Sequence, residues 1–151
     1  MYEIKEQIAV PFSTEQMYAL VNHIEAYPEF IPACTAARII SRQASVLEAE
    51  LVLRKSAFSY TLCTRNRLFP CHRIELELLS GPFTALHGAW FFTEIAAQTE
   101  GNNQSIVRLD LAFQLKNVML HYALGKIFHQ VNKELMQCFY QRAYQIYGLK
   151  S

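Results

Sequence analysis

The chain has 151 residues, of which 52% are hydrophobic and 18% are charged, and its formal net charge is +1 at pH 7. This length and apolar content are typical of a single domain over residues 1–151 and exclude a disordered chain. A net charge so close to zero gives no general attraction to nucleic acid, so we expect no DNA partner.

The first residues and the lengths of the apolar runs predict a cytoplasmic protein. Residues 1–6 lack the basic segment and the apolar run of a secretory signal. Charged residues or glutamine interrupt every hydrophobic stretch before it reaches the ~20 residues of a membrane-spanning helix, so we expect no integral membrane association. No C-x-x-C pair is present, and we interpret the cysteines as reduced, mostly buried thiols: Cys34, Cys63, Cys71 and Cys138.

Alternating apolar residues predict a first strand over residues 2–10, which Pro11 ends. Glu6 is the exception on the apolar face of this strand. We interpret it as a carboxylate at a solvent-exposed sheet edge rather than as an acid with a perturbed pKa.

A short amphipathic helix is predicted after this strand. Ser13 and Gln16 have the spacing of a capping box, in which each side chain accepts a hydrogen bond from the other residue's backbone N–H. Apolar residues at helical spacing follow, and we expect Pro28 and Pro32 to stop the helix, with room for a helical turn between the two prolines.

Period-two alternation from about residue 36 to residue 115 predicts an antiparallel meander. We expect a turn at residues 54–56, a break at Gly81-Pro82 and a hairpin loop at residues 100–103. After Asn117 the apolar period becomes helical, which predicts a long C-terminal helix of roughly eight turns that ends near Gly148.

The predicted sheet is wider than the single long helix that covers it, and this mismatch bears on whether the protein has a cavity. A sheet of about seven strands at ~4.8 Å spacing is roughly 34 Å wide, whereas one helix covers only ~10–12 Å. The apolar face of the sheet must therefore curl around the long helix. Such a sheet leaves either an apolar hollow that binds a ligand or, where large side chains fill the space, a dry core. The pattern alone leaves both alternatives open.

Two segments carry a resemblance to a known family. They are residues 27–34 (Tyr-Pro-Glu-Phe-Ile-Pro-Ala-Cys) and residues 81–92 (Gly-Pro-Phe-Thr-Ala-Leu-His-Gly-Ala-Trp-Phe-Phe). Together with Thr64-Arg65-Asn66 and the final helix, they resemble the coenzyme Q-binding branch of the START-like (polyketide cyclase/dehydrase and lipid transport) superfamily, which also includes ribosome association toxins. The resemblance implies an α+β helix-grip fold. In that fold a curved antiparallel sheet of six or seven strands wraps around a long C-terminal helix, with a short helical segment after the first strand.

The resemblance also implies a function. We expect noncatalytic binding of a hydrophobic small molecule, an isoprenoid quinone such as ubiquinone or another lipid, in support of respiratory quinone function. No covalent cofactor and no metal is expected. The alternative is a ribosome association toxin that binds the large ribosomal subunit and blocks subunit joining, with a small antitoxin-like protein as a partner. A cyclase-type enzyme is a third alternative, but no acid–base pair and no common catalytic motif supports it.

The candidate ligand contacts come from these two segments, the last strand and the long helix. We interpret the aromatic-proline segment as a gate at the cavity mouth and the tryptophan N–H as a donor to a quinone carbonyl. A structural turn and ordinary core packing are the alternative interpretations. The predicted residues are Tyr27, Pro28, Phe30, Pro32, Trp90, Phe92, Phe113, Leu120, Leu124 and Phe128.

Five basic residues are candidate contacts to the ribosome or its RNA: Arg54, Lys55, Arg65, Arg67 and Arg73. Glu75 and Glu77 interleave with them, and no aromatic residues are placed for base stacking. We therefore favour the interpretation that this is a solvated sheet face.

Overall fold

One antiparallel sheet dominates the computed structural model of the protein. The structure describes residues 2–55, 57–95, 103–116 and 118–148, without the side chains at positions 55, 58, 118, 120–129 and 131. Within these ranges the sheet has seven strands: β1 (Tyr2–Val10), β2 (Cys34–Gln43), β3 (Val46–Lys55), β4 (Phe58–Phe69), β5 (Arg73–Ser80), β6 (Phe83–Ile95) and β7 (Gln104–Leu115).

The strand order is β1-β7-β6-β5-β4-β3-β2, with every neighbouring pair antiparallel. The six strands from β2 to β7 form the predicted meander, and β1 returns to pair with β7. The predicted edge position of Glu6 is confirmed, because β1 is an edge strand, but its side chain is half-buried rather than fully exposed to solvent.

Two details of the predicted meander differ in the structure. Arg54 and Lys55 continue β3 and pair with Ser59 and Phe58, so the turn expected at residues 54–56 lies further along the chain. The predicted loop at residues 100–103 lies outside the described residues except for Asn103. The break at residues 81–82 is confirmed, because β5 ends at Ser80 and β6 begins at Phe83.

The short helical region consists of α1 (Thr14–Asn22), a 3-10 turn (Ile24–Ala26) and α2 (Tyr27–Phe30). The capping box is confirmed, because Ser13 and Gln16 accept hydrogen bonds from each other's backbone N–H groups, at 3.1 and 2.9 Å. The predicted role of Pro28 as a helix stop is wrong. α1 ends before both prolines, and Pro28 lies in the first turn of α2, where the missing N–H would have no intrahelical partner.

The long helix α3 (Val118–Tyr147) confirms the predicted C-terminal helix. Met136, Phe139 and Ala143 on one of its faces are buried in the main core, together with residues of α1, α2 and the sheet. The structure is therefore a curved seven-stranded sheet around a C-terminal helix, as the fold prediction required. None of the helices in the described part of the chain is long and apolar enough to cross a membrane.

The core has two clusters of buried side chains. The larger one includes Met17, Trp90 and Phe139, and it joins α1, the sheet and the C-terminal half of α3. The smaller one contains Ile4 and Phe113 at the opposite end of the sheet. Between these two clusters there is room for a cavity between the sheet and the helix.

The cysteines are all free thiols. Only Cys34 is buried, whereas Cys63, Cys71 and Cys138 are partly exposed. The prediction of mostly buried thiols is therefore wrong. Cys63 lies on the outer face of β4, where a polar side chain is equally well accommodated.

Candidate ligand cavity

A cavity of about 150 Å³ lies between the concave face of the sheet and the C-terminal helix. β3, β4, β6, β7, α3 and the segment from Ile24 to Cys34 contribute its walls, with Leu76 from β5. Most of the lining is aliphatic: Ile24, Ile31, Ala33, Ala49, Leu51, Leu53, Leu62, Leu76, Leu86, Leu109, Leu111 and Leu135. Of the two alternatives that the sequence left open, the structure contains the hollow.

Aromatic side chains fix the walls at both ends of this cavity. Tyr27 and Trp90 both meet Phe139 of α3 edge to face, with ring centroids 5.4 and 5.2 Å apart. At the other end Phe83 meets Phe113 in the same geometry at 5.7 Å. These mutually packed rings hold their positions and leave the volume between them unfilled.

Three buried polar side chains interrupt the apolar lining. Thr64 and Asn66 point inward from β4, and Asn132 points inward from α3, with exposed fractions of 8%, 5% and 6%. The Thr64 hydroxyl donates a hydrogen bond to Asn66 Oδ1 at 2.8 Å. The cavity is therefore mostly apolar, and Thr64 and Asn66 form a polar site on its β4 wall.

These polar residues were absent from the predicted ligand contacts. The alternation of Tyr60 and Leu62 on the inner face of β4 continues to Thr64 and Asn66, so period two indicates that both are inward. Asn132 lies seven residues before Phe139, on the same face of α3. A polar residue at an apolar position of a periodic pattern is the signal that identifies all three.

Three of the ten predicted ligand contacts lie in the cavity wall: Tyr27, Trp90 and Phe113. Phe92 is buried, but it packs against Tyr18 at 5.5 Å and lies outside the lining. Pro28 and Pro32 are exposed beside the cavity. The side chains of Leu120, Leu124 and Phe128 lie outside the described part of the chain. Contact of these residues with a ligand remains a prediction.

Phe30 belongs to a contact between α2 and α3 rather than to the lining. Its ring packs edge to face against Tyr27 and Phe139 at 5.9 and 5.3 Å. The Arg142 guanidinium lies 5.1 Å from the Phe30 ring centroid and pairs with Glu29 at 3.2 Å. Because Tyr27 of the same short helix lines the cavity, this contact fixes one wall of it.

Arg54, Arg65, Arg67 and Arg73 lie on the outer face of the sheet, and carboxylates pair with two of them. Arg65 pairs with Glu48 at 2.9 Å and with Glu77 at 3.0 Å. Arg73 pairs with Glu75 at 3.0 Å and covers the Phe69 ring at 3.8 Å. Arg54 and Arg67 are exposed, and the side chain of Lys55 lies outside the described residues. This alternation of charges is typical of a solvated sheet face.

The titratable groups in the cavity wall are weak acids whose neutral forms are favoured. Burial raises the pKa of the Tyr27 and Tyr60 hydroxyls well above their ordinary value and also raises the pKa of the Cys34 thiol. The Tyr27 hydroxyl donates a hydrogen bond to the backbone carbonyl of Val21. The described lining contains no carboxylate, histidine, lysine or arginine. This set of groups suits the binding of a neutral molecule and supplies no acid–base pair near neutral pH.

No group of three or more His, Cys, Asp or Glu residues converges on a metal position within the described residues. We therefore assign no metal ligands to any side chain that the structure describes.

Two curated relatives match nearly the whole chain. The ribosome association toxin RatA of Pseudomonas aeruginosa is 35% identical over 145 residues, which cover 96% of this chain and 97% of that protein. The mitochondrial coenzyme Q-binding protein COQ10 homolog B of Xenopus laevis is 25% identical over 149 residues, which cover 97% of this chain and 59% of that protein. Neither name states an enzyme activity.

Solved structures share the fold at low sequence identity. A START superfamily protein from Mycobacterium smegmatis superposes with a TM-score of 0.79 at 19% identity, covering 95% of this chain and 98% of that one. The Zhui aromatase/cyclase from Streptomyces superposes with a TM-score of 0.76 at 11% identity, covering 95% and 94%. The fold therefore occurs in enzymes as well as in other proteins, and it does not define a function by itself.

A family model described as polyketide cyclase / dehydrase and lipid transport matches residues 10–140. This range extends from the end of β1 into the C-terminal half of α3 and includes every described residue of the cavity wall. Together with the curated relatives, the match shows that the chain belongs to the polyketide cyclase/dehydrase and lipid transport family.

Proposed function

We propose that the protein binds a hydrophobic small molecule without transforming it, and that the ligand is an isoprenoid quinone such as ubiquinone or another lipid. The observation that carries this proposal is the cavity, whose described lining is mostly apolar and has no charged side chain. Removal of apolar ligand surface from water would supply most of the affinity, at about 25 cal/mol per Å².

The size of the cavity limits which part of such a ligand it can enclose. A cavity of about 150 Å³ lined by aliphatic and aromatic side chains holds one benzene molecule in a well-known engineered protein, so the volume here corresponds to one six-membered ring. A quinone ring would fit, whereas an isoprenoid tail would extend beyond the cavity. The α2 segment would then act as the gate past which the tail leaves.

The family description and one relative's name support this proposal. The description includes lipid transport, and the relative from Xenopus laevis is named for coenzyme Q binding. The proposed role in this organism's own physiology is support of respiratory quinone function by a cytoplasmic protein.

Native mass spectrometry of the freshly purified protein, followed by organic extraction, tests the proposal. We expect a bound hydrophobic molecule at up to one copy per chain, together with uptake of added short-chain ubiquinone by the extracted protein. A protein that carries no lipid and takes up neither quinones nor other lipids would exclude this function.

Ribosome association is the second candidate, and a specific observation favours it. A relative named for that activity is 35% identical across nearly the full length of both chains. In this proposal the outer surface binds the large ribosomal subunit and blocks subunit joining, and a small antitoxin-like protein is the partner that counteracts it. Because the cavity faces inward, the two functions use separate surfaces and can occur in one molecule.

Co-sedimentation with ribosomal subunits tests this second candidate. If exposed arginines of the outer face contact RNA phosphates, the protein pellets with the large subunit at low salt and is released as salt rises. The Arg54→Glu and Arg67→Glu changes should together weaken this association, whereas Lys5→Glu with Lys133→Glu, at exposed positions of β1 and α3, is the control with the same change in net charge. Absence of the protein from the ribosomal fractions at low salt would refute it.

A further inference from the structure

Asn66 places a polar amide in the mostly apolar wall of the cavity. Its side chain is 95% buried, since its exposed fraction is 5%, and it lies in the lining of a mostly apolar cavity. Asn66 Oδ1 accepts the hydrogen bond from the Thr64 hydroxyl, and no hydrogen bond from Nδ2 is found among the described residues. An amide N–H at the wall of a mostly apolar cavity is a donor that a ligand carbonyl can satisfy.

Thr64 fixes the orientation of the Asn66 amide. Because the hydroxyl occupies the oxygen side at 2.8 Å, the two N–H bonds of Nδ2 are left for another group. Thr64 is itself buried beside the cavity, with an exposed fraction of 8%. The pair therefore presents a preoriented donor on a wall that β4 holds rigidly.

Other polar groups of the same lining are already engaged. The Tyr27 hydroxyl donates to the Val21 carbonyl, and the Cys34 thiol donates to the Ala36 carbonyl at 3.4 Å. Trp90 also carries an N–H group in the wall, and it is the alternative donor for a ligand. Cross-strand pairing places Asn66 next to Leu76 on β5, so aliphatic surface adjoins the amide.

We propose that the Asn66 amide donates a hydrogen bond to a carbonyl oxygen on the ring that occupies the cavity. This inference rests on the proposed ligand-binding function and adds a selection rule to it. The cavity takes a ring-sized group that bears a hydrogen-bond acceptor in preference to a hydrocarbon ring of the same shape. Apolar contacts supply affinity, and Asn66 sets the orientation of the ring.

Acetophenone and α-methylstyrene form a matched pair of probes, because they differ only in the exchange of a carbonyl oxygen for a CH₂ group. Their dissociation constants are measured by NMR titration for the wild-type protein and for Asn66→Leu, which keeps the side-chain size and removes the donor. The ratio of the two affinities is compared between proteins, so that the different hydration of the probes cancels. We expect Asn66→Leu to lower the relative preference for the ketone about three- to tenfold.

A readout in the wild-type protein keeps the test valid if Asn66→Leu does not fold. The ¹⁵N-labelled side-chain amide signals of Asn66 should move downfield on addition of acetophenone and stay nearly unchanged with α-methylstyrene. Leu62→Met, an apolar exchange in the same wall, should alter both affinities without changing their ratio.

The outcomes distinguish failure of the Asn66 role from failure of ligand binding itself. If both probes bind, but Asn66→Leu leaves their affinity ratio unchanged or only Trp90→Phe changes it, the role of Asn66 is refuted while ligand binding stands. If neither probe binds and no lipid occupies the purified protein, the proposed function fails together with this inference. Loss of the ketone preference in Asn66→Leu with retention of α-methylstyrene binding supports it.

Discussion

Individual residues in this protein show how burial changes ordinary chemistry. Tyr27 lies in the cavity wall, packs against Phe139, and donates a hydrogen bond from its hydroxyl to the Val21 carbonyl. Burial raises the pKa of this hydroxyl well above its ordinary value, as it does for Tyr60. Because of these raised pKa values, both hydroxyls stay neutral near pH 7. For the same reason, the stability of the folded state depends on pH in the alkaline range.

We predict that the free energy of unfolding falls as pH rises above about 10. Below the unfolded-state pKa of about 10, both tyrosines are neutral in the folded and unfolded states. Above it, the unfolded chain releases these protons while the folded protein retains them, so stability decreases with pH. Urea unfolding between pH 8 and pH 11 measures this slope. Tyr27→Phe should cost about 1 kcal/mol at pH 8 through loss of its hydrogen bond and should make the alkaline decline shallower.

An alkaline decline that is identical in wild type and Tyr27→Phe would contradict this explanation. In that case the titration of other groups would control stability at high pH, and the burial of Tyr27 would have no measurable linkage to folding.

At the scale of elements, the close contact between β6 and β7 is the feature most sensitive to a small substitution. Gly88 pairs with Leu111 of β7. A Cβ atom at Gly88 would lie 2.9 Å from the Leu111 Cα and closer still to the Asp110 carbonyl oxygen. Because these are backbone atoms, relief of the clash requires the strands to separate.

We predict that Gly88→Ala destabilises the protein by about 1–3 kcal/mol, the usual cost of overpacking. Thermal or urea unfolding measures the change. His87→Ala, at the adjacent exposed position of β6, is the control and should change stability by less than about 0.5 kcal/mol. Equal effects of the two substitutions would show that the strands accommodate a Cβ at position 88.

The elements themselves were largely predictable, because their hydrophobic periods differ. Period two identified the meander, helical spacing identified α3, and Ser13 with Gln16 marked the start of α1. The prediction of Pro28 as a stop is wrong because proline disrupts the interior of a helix but is favoured in its first turn, and Pro28 lies in the first turn of α2. Bounds of strands such as β3 depend on pairing with a neighbour, which local pattern does not contain.

The site was less predictable than the elements. Periodicity indicated that Trp90 and Phe92 share a face, but only Trp90 lines the cavity, because Phe92 lies where Tyr18 of α1 covers the sheet. The existence of the cavity depends on the summed volumes and rotamers of many side chains, which a hydrophobic pattern does not specify. The apolar members of the helical pattern do not indicate Asn132, because it is a polar residue on the inner face of α3.

In the molecule as a whole, ligand binding depends on the cavity between the sheet and α3. Ala49 is buried in the cavity wall, so Ala49→Leu should fill part of this volume. Ala112→Leu adds the same atoms on the outer face of β7 and is the matched control. The single tryptophan, Trp90, lies in the wall and therefore reports occupation of the cavity by its fluorescence.

Titration of Trp90 fluorescence with a short-chain ubiquinone tests whether the cavity binds a quinone ring. We predict saturable quenching at one site in the wild-type protein and in Ala112→Leu, with affinity at least about tenfold weaker in Ala49→Leu because the added side chain occupies the ring's position. Quenching that never saturates, or that is equally strong in Ala49→Leu, would show that the quinone does not bind in this cavity.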